Sequence, residues 1–267
     1  MKFIVFTDIH HWDNCDYANI LWEGYVNTFW QSFIEEKNKI KNIITDDVDF
    51  IINLWDLIRE TKNKLFDTNL YIEWLNVLKS FWKPVFSVAW NHDVDYELDR
   101  EGISKINWYE KMYYSFELSW YTHIVLDWNR EWKIDWEIVW WQKYHFDDDQ
   151  IFWLENTLEN SENNCIIYCH FPIDDQDISK NPYWPTWDTT RVFPQKYEKV
   201  RQIIEKSNKV IAYFNWHTHF PHISLINWIL YCNIGSFSEN NWNWEPTKDY
   251  ALVEVKNKDI KVSLSKL

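Results

Sequence analysis

The sequence predicts an α/β protein in which β-sheets are flanked by helices. Near the start of the chain, short apolar runs of strand length alternate with longer amphipathic segments, which is the order of a β-α-β-α-β unit. Near the end of the chain, short strand-like runs follow one another directly. These late strands fit a second sheet that packs on the first, so the predicted fold class is α/β with two sheets.

The elements follow from apolar runs and their periodicity. Strands are expected at residues 2–7, 49–54 and 84–89, and helices between them at about 18–44 and 66–82. A charged linker is expected at 95–107, two antiparallel strands at 112–118 and 121–126, a helix at 148–158, a strand at 165–169, a loop at 173–194, a helix at 195–207 and a strand at 209–214. The tail strands are expected at 223–226, 229–234, 250–255 and 260–264. Because no repeat or clear linker interrupts this order, we expect one domain over residues 1–267.

Composition limits the partners and the compartment. The formal net charge of −14 disfavours binding to nucleic acid or to anionic lipid, whose phosphates need Lys and Arg. No apolar run approaches the ~20 residues that a membrane span needs, and the start of the chain is predicted to be a strand rather than a signal peptide. The 4 cysteines form no Cys-x-x-Cys pair, which favours buried thiols in a reducing, cytoplasmic setting.

Polar side chains follow five of the predicted strands, at the point where each strand ends. These side chains are Asp8 and His10, Asp56, Asn91 with His92 and Asp93, His170, and His217 with His219. Open α/β sheets bind ligands at the carboxyl ends of their strands, so these residues are expected to form one site. Oxygen and imidazole ligands without cysteine suit Mn, Fe, Zn or Ni and disfavour a structural zinc. Taken alone, residues 91–93 would favour an ordinary turn.

The five stretches together resemble the calcineurin-like metallophosphoesterases, whose pattern is Asp-x-His, Gly-Asp, Gly-Asn-His-Asp/Glu, a lone His and Gly-His-x-His. The matching stretches keep that order over residues 8–219. The resemblance implies a sandwich of two facing mixed sheets with outer helices. It also implies hydrolysis of phosphomonoesters or phosphodiesters by a hydroxide that bridges two metal ions. The residue types near the motifs are most similar to small bacterial members that resemble class III cyclic-nucleotide phosphodiesterases, so a small phosphorylated substrate such as a nucleotide is expected.

The same resemblance implies a role for each site residue. One metal ion would be held by Asp8, His10, Asp56 and His219, and the other by Asp56, Asn91, His170 and His217. Asp56 would be shared, since a carboxylate offers two oxygens. His92 would act on the leaving oxygen or the phosphate, positioned by Asp93, and Asn91 would also contact the phosphate.

The loop at 173–194 has His170 at its root and is expected to lie over the site, because loops of this length in a compact domain are often functional. Arg191 in this loop could bind a phosphate with two hydrogen bonds. Pairing of Arg191 with a nearby acid is an equal alternative.

The chain departs from the family pattern in one systematic way: Trp55, Trp90 and Trp216 stand where the pattern has glycine. The chain has 21 Trp and 3 Gly. Glycine normally makes up about 7% of a chain, which would be about 19 residues at this length. Many of the tryptophans also follow Asn or Asp at expected turns, where glycine is favoured for its positive φ. We hypothesise that most of these codons are UGA, read as glycine by the source organism; Trp153, in an amphipathic helix, is expected to be genuine.

A truly Trp-rich protein is the alternative. Indoles beside three ligands would then block the site and leave a scaffold or interaction protein without metal. Metal content separates the two interpretations.

Overall fold

The structure is a computed structural model that describes residues 1–7, 31–54, 64–88, 100–107, 109–131, 143–179, 189, 192–237 and 247–267. These residues form two compact units, one made of Met1–Met112 and Ile234–Leu267, the other of Tyr113–Asn233.

The strands are β1 (Lys2–Phe6), β2 (Phe50–Asn53), β3 (Val85–Ser87), β4 (Tyr114–Leu118), β5 (Tyr121–Val125), β6 (Asn129–Glu131), β7 (Lys143–His145), β8 (Asn164–Tyr168), β9 (Val210–Asn215), β10 (His222–Ile226), β11 (Ile229–Asn233), β12 (Asp249–Lys256) and β13 (Asp259–Lys266). The helices are α1 (Gln31–Ile43), α2 (Lys64–Lys79), α3 (Arg100–Asn107), α4 (Asp148–Asn160) and α5 (Tyr197–Ser207).

The first unit is built on a five-stranded mixed sheet in the order β13-β12-β1-β2-β3. β1, β2 and β3 are parallel, while β12 runs antiparallel to β1 and β13 antiparallel to β12. β2 is buried along its whole length, as expected for an apolar strand inside a parallel sheet. In α2, Tyr71, Trp74 and Leu78 are buried, which accounts for the apolar stripe in its sequence.

The second unit is built on a six-stranded sheet in the order β10-β11-β9-β8-β5-β4, with a separate hairpin of β6 and β7. The four inner strands are parallel, and both edge strands are antiparallel to their neighbours. Helices α4 and α5 contribute buried Ile151, Leu154 and Ile204 to a core that also contains Ile167 and Tyr213 of the sheet. Helix packing on this sheet therefore comes from the i, i+3 and i+4 spacing of the apolar residues.

The predicted fold class is confirmed: the chain has two mixed β-sheets with flanking helices. Among the described residues, no helix combines the length and apolar character that crossing a membrane requires. Residues 18–30 of the first predicted helix lie outside the described residues.

Two expectations about secondary structure were wrong. Residues 100–107 of the expected linker form α3, because Ile103 is buried and Asn107 Nδ2 donates a 2.6 Å hydrogen bond to Tyr71 Oη. The tail strands do not all join the second sheet. β10 and β11 do, whereas β12 returns to pair with β1 and buries its alternate residues Ala251, Val253 and Val255.

Candidate metal centre

Two of the predicted ligands, His170 and His217, lie against each other in the second unit. Each follows its strand by two residues, and the strands β8 and β9 are parallel neighbours. The backbone N–H groups of Trp216 and His217 both donate to the carbonyl oxygen of His170, at 3.2 Å each. The pairing of the strands thus places the imidazoles side by side, with His170 Nε2 and His217 Nδ1 only 2.5 Å apart.

The histidine pair is walled by aromatic rings. His170 is fully buried and His217 is 3% exposed. The Phe171 ring lies 4.8 Å from that of His170 and 4.5 Å from that of His217, and Tyr144 lies 6.2 Å from His217. Sequence reasoning did not single out Tyr144; it lies in β7, a short strand with no clear periodicity of its own. These rings exclude water and therefore strengthen any electrostatic interaction at the pair.

The two facing nitrogens are of the type that can share a proton or bind a cation. With both rings neutral, one nitrogen donates a hydrogen bond and the other accepts it. If both nitrogens instead present lone pairs, the pair offers two imidazole donors in a dry setting, which suits Mn, Fe, Zn or Ni. The chemistry of these two donors is thus compatible with the metal ions that the sequence predicts.

His219 does not join the pair as a third ligand in the described structure. It lies in a turn in which its N–H donates to the Trp216 carbonyl oxygen at 2.9 Å, and its φ is 53°. Among the described residues, no three His, Cys, Asp or Glu side chains come together as a metal site. The assignment of His219 to a metal ion stays a prediction.

The other predicted site residues lie outside the described residues. They are Asp8, His10, Asp56, Asn91, His92, Asp93 and Arg191. The strands that precede the first six of them are described, and β1, β2 and β3 are parallel neighbours in one sheet. The carboxyl ends of these three strands therefore share one edge of the sheet, as the sequence predicts.

A layer of buried polar side chains lies at this edge. Thr7, Asn53 and Ser87 follow or end β1, β2 and β3, and each is buried. Asn53 is fully buried, and neither amide atom has a hydrogen-bond partner within the described part of the chain. It precedes Asp56 by three residues. Sequence reasoning took Asn53 only as part of the strand at 49–54, although an amide near the end of a buried apolar run was a signal.

The first part of the loop after His170 is tied to the second unit. Ser224 of β10 donates to Asp174 at 2.9 Å, and burial raises the pKa of the Asp174 carboxyl. Asp175 accepts hydrogen bonds from Arg201 Nη1 at 2.5 Å and Tyr197 Oη at 2.7 Å, both from α5. These contacts fix the root of the predicted loop, while residues 180–188, 190 and 191 lie outside the described residues.

Solved structures with the same fold cover nearly the whole chain. A dimetal phosphatase from Danio rerio matches 99% of this chain and 95% of its own, with 12% identity and a TM-score of 0.74. GAP50, the anchor in the inner membrane complex of Plasmodium, matches 100% of this chain and 84% of its own, with 14% identity and a TM-score of 0.57. The protein TT1561 of Thermus thermophilus matches 98% and 97%, with 12% identity and a TM-score of 0.54. No protein of curated function matches the sequence.

The sequence itself matches the calcineurin-like phosphoesterase family over residues 1–221. This range contains all five predicted ligand stretches and most of both units. The family generally uses two metal ions and acts on small phosphorylated substrates. The resemblance drawn from the five stretches, and with it the prediction of a phosphoesterase, is confirmed: this chain belongs to the calcineurin-like phosphoesterase family.

Proposed function

We propose that this protein is a binuclear-metal-dependent hydrolase of phosphomonoesters or phosphodiesters, and that residues 1–267 act as one catalytic domain. The observation that carries the proposal is the buried pair of His170 and His217, whose facing ring nitrogens lie 2.5 Å apart at two neighbouring strand ends. Such a pair is costly to bury unless its nitrogens share a proton or a cation.

In this proposal, His170 and His217 hold one metal ion together with Asn91 and Asp56. Asp8, His10 and His219, with the shared Asp56, hold the other. When bound, two such ions hold a phosphoryl group, lower the pKa of a water molecule and offset the charge of an in-line displacement.

The remaining site residues act on the substrate. His92 gives a proton to the leaving oxygen or hydrogen-bonds the phosphate, and Asp93 accepts from the imidazole and fixes its orientation. The Asn91 side chain contacts the phosphate, and the Arg191 guanidinium binds phosphate oxygens with two hydrogen bonds. The substrate is a small phosphorylated molecule, with a nucleotide favoured by the branch of the family that the motifs resemble.

The test is hydrolysis of p-nitrophenyl phosphate and bis(p-nitrophenyl) phosphate by protein with the substitutions Trp55→Gly, Trp90→Gly and Trp216→Gly. We expect activity with Mn²⁺, Fe²⁺, Zn²⁺, Ni²⁺ or Co²⁺, its loss with a chelator, and about two bound metal ions per chain. The relative rates on the two substrates decide between a monoesterase and a diesterase. Absence of hydrolysis with all five metals would contradict the proposal.

A second candidate is a scaffold with the phosphoesterase fold but without metal. It is favoured by the fully buried Trp216, whose ring packs 4.8 Å from that of His170. The relative GAP50, described as an anchor, has the same fold. Protein from the natural source would then carry tryptophan at 55, 90 and 216 and contain essentially no metal, whereas the phosphoesterase would contain about two metal ions per chain.

A further inference from the structure

Three tryptophans have a left-handed backbone and a side chain that packs on almost nothing. The φ angles of Trp82, Trp120 and Trp228 are 63°, 70° and 67°. Each side chain is 89% exposed. In this region of φ the Cβ of any residue but glycine crowds the following carbonyl, and for a bulky residue such an angle is an outlier. Because so little of each indole is buried, packing does not offset that strain, and the backbone angle indicates which residue suits the positions.

Trp120 and Trp228 occupy the same place in two different hairpins. Ser119 and Trp120 form the two-residue turn between β4 and β5, with φ angles of 50° and 70°. Asn227 and Trp228 form the turn between β10 and β11, with φ angles of 49° and 67°. Positive φ at both central residues defines a type I′ turn, whose preferred second residue is glycine and whose preferred sequence is Asn-Gly.

Trp82 lies at a second kind of position that favours glycine. α2 ends at Lys79, and the chain then closes with the Trp82 N–H donating to the Lys79 carbonyl oxygen at 3.3 Å. Pro84 follows two residues later. A left-handed residue after the last helical turn, with proline soon after, is the usual helix C-terminus, and glycine is the residue most often found there.

Trp153 gives the contrast within the same molecule. It lies inside α4, packs against the core of the second unit and has its ring 4.9 Å from that of Tyr113. Its φ is not positive, unlike that of the three turn residues. Here the indole is used by the fold, and glycine in a helix interior would be unfavourable.

From these positions we infer that the natural protein carries glycine at 82, 120 and 228, encoded by UGA codons that the source organism reads as glycine. The 21 Trp and 3 Gly of the chain then reflect the standard reading of those codons rather than the residues of the folded protein. The inference rests on backbone angles and exposure and is independent of the proposed function.

Another tryptophan, Trp216, lies beside the histidine pair. Trp216 is fully buried, its indole N–H has no partner among the described residues, and its ring lies against His170. Its backbone is not left-handed, so no strain at φ favours glycine there. Glycine at 216 would remove a buried, unsatisfied donor and open space beside the two imidazoles.

The direct test is to sequence the gene and to identify peptides from the natural source by mass spectrometry. We expect UGA codons and glycine at 82, 120 and 228, and a UGG codon and tryptophan at 153. UGG codons at the three turns, or peptides with tryptophan there, would overturn the inference.

A stability series tests the same point on recombinant protein. Trp82→Gly, Trp120→Gly and Trp228→Gly should each raise the Tm by about 2–4 °C, because each relieves a left-handed bulky residue. The matched control Trp153→Gly should lower the Tm. If the three turn variants lower the Tm as the control does, the fold uses those indoles and the inference is wrong.

Discussion

The strand ends of the two sheets both bury polar side chains, but they differ in how these side chains are partnered. In the second sheet, Asn233 Nδ2 donates to Asn215 Oδ1 at 2.6 Å, and His170 Nε2 lies 2.5 Å from His217 Nδ1. In the first sheet, neither amide atom of the fully buried Asn53 has a partner within the described part of the chain. A buried polar group without a partner costs about 1–3 kcal/mol.

The difference indicates where bound groups complete the fold. At the end of the second sheet these side chains partner one another, although Asn233 Oδ1 has no partner within the described part of the chain. The end of the first sheet retains a whole amide that can still donate and accept. Four of the seven predicted ligands, Asp8, His10, Asp56 and Asn91, follow the strands of the first sheet. We therefore expect metal binding to stabilise the first sheet's strand ends more than those of the second.

The largest expected effect comes from removing one member of the histidine pair. His217→Ala deletes a proposed ligand and leaves His170 buried beside a cavity. Loss of an outer-shell partner alone lowers metal affinity or activity by about 10–100-fold, so loss of a direct ligand should cost more than about 100-fold in kcat/KM. The measurement is metal content together with hydrolysis of bis(p-nitrophenyl) phosphate.

Two control variants show whether a loss of activity in His217→Ala is specific to the histidine pair. His145→Ala removes an imidazole that pairs with Asp147 at 3.1 Å and belongs to no proposed site, so activity should stay unchanged. His92→Ala should keep the metal and lower the rate by about 10²–10⁴-fold, the usual contribution of a positioned acid or base. Full metal content and full activity in His217→Ala would remove the pair from the site.

A third buried imidazole, His123, shows what burial alone does to a histidine, because it is not part of the proposed metal site. It lies in the middle of β5, away from the strand's carboxyl end, and is stacked between Phe116 at 4.7 Å and Tyr168 at 5.9 Å. Burial lowers the pKa of His123 from 6.5 to about 4. Between pH 6.5 and pH 4, His123 is therefore protonated in the unfolded chain but neutral in the folded one. The stability that is present above pH 6.5 is lost as the pH falls from 6.5 towards 4.

We expect this histidine to account for about 3 kcal/mol of the stability lost over that interval. His123→Phe keeps a flat ring in the stack and removes the titration. Urea unfolding at pH 7 and pH 4.5 should therefore show a smaller loss for the variant than for the unsubstituted protein. Equal losses in the two proteins would mean that His123 accepts its proton in the folded state as readily as in the unfolded one.

Much of this organisation could be predicted from the sequence because the end of a strand is marked by residues that are adjacent in the chain. An apolar run followed by Asp or His marks its own boundary, so the strands that precede His170 and His217 were predicted, and the parallel order of β8 and β9 brings the two side chains together. Packing between distant segments was not predictable in this way. The helix α3 depends on burial of Ile103 and a hydrogen bond to Tyr71, and the pairing of β12 with β1 joins the two ends of the chain.

The same limit explains what was missed near the site. Tyr144 reaches His217 from a strand of three residues, too short for any periodicity to appear. The sequence shows Asn53 as an amide near the end of an apolar run, but only the structure reveals that this amide is fully buried.

The smallest effect, and the sharpest test of the comparison, is a pair of amide substitutions with opposite expected signs. Asn53→Leu replaces a buried amide that has no partner among the described residues by an apolar side chain of similar volume, so the metal-free protein should gain about 1–3 kcal/mol in its free energy of unfolding. Asn215→Leu removes the acceptor of Asn233, so the Asn233 amide, like that of Asn53, would then have no partner among the described residues, and a loss of about 1–3 kcal/mol is expected.

Saturating Mn²⁺ should then distinguish the two sheets further. If Asn53 completes its hydrogen bonds within the metal centre, Asn53→Leu weakens Mn²⁺ binding by about 10–100-fold, and its gain in stability shrinks or reverses when the ion is present. Asn215→Leu should lose the same free energy with and without Mn²⁺, because its partner is another side chain of the same sheet. Urea unfolding of both variants, with chelator and with Mn²⁺, gives four free energies for this comparison. A loss of stability in metal-free Asn53→Leu would mean that the Asn53 amide is already satisfied, and the difference between the two strand ends would disappear.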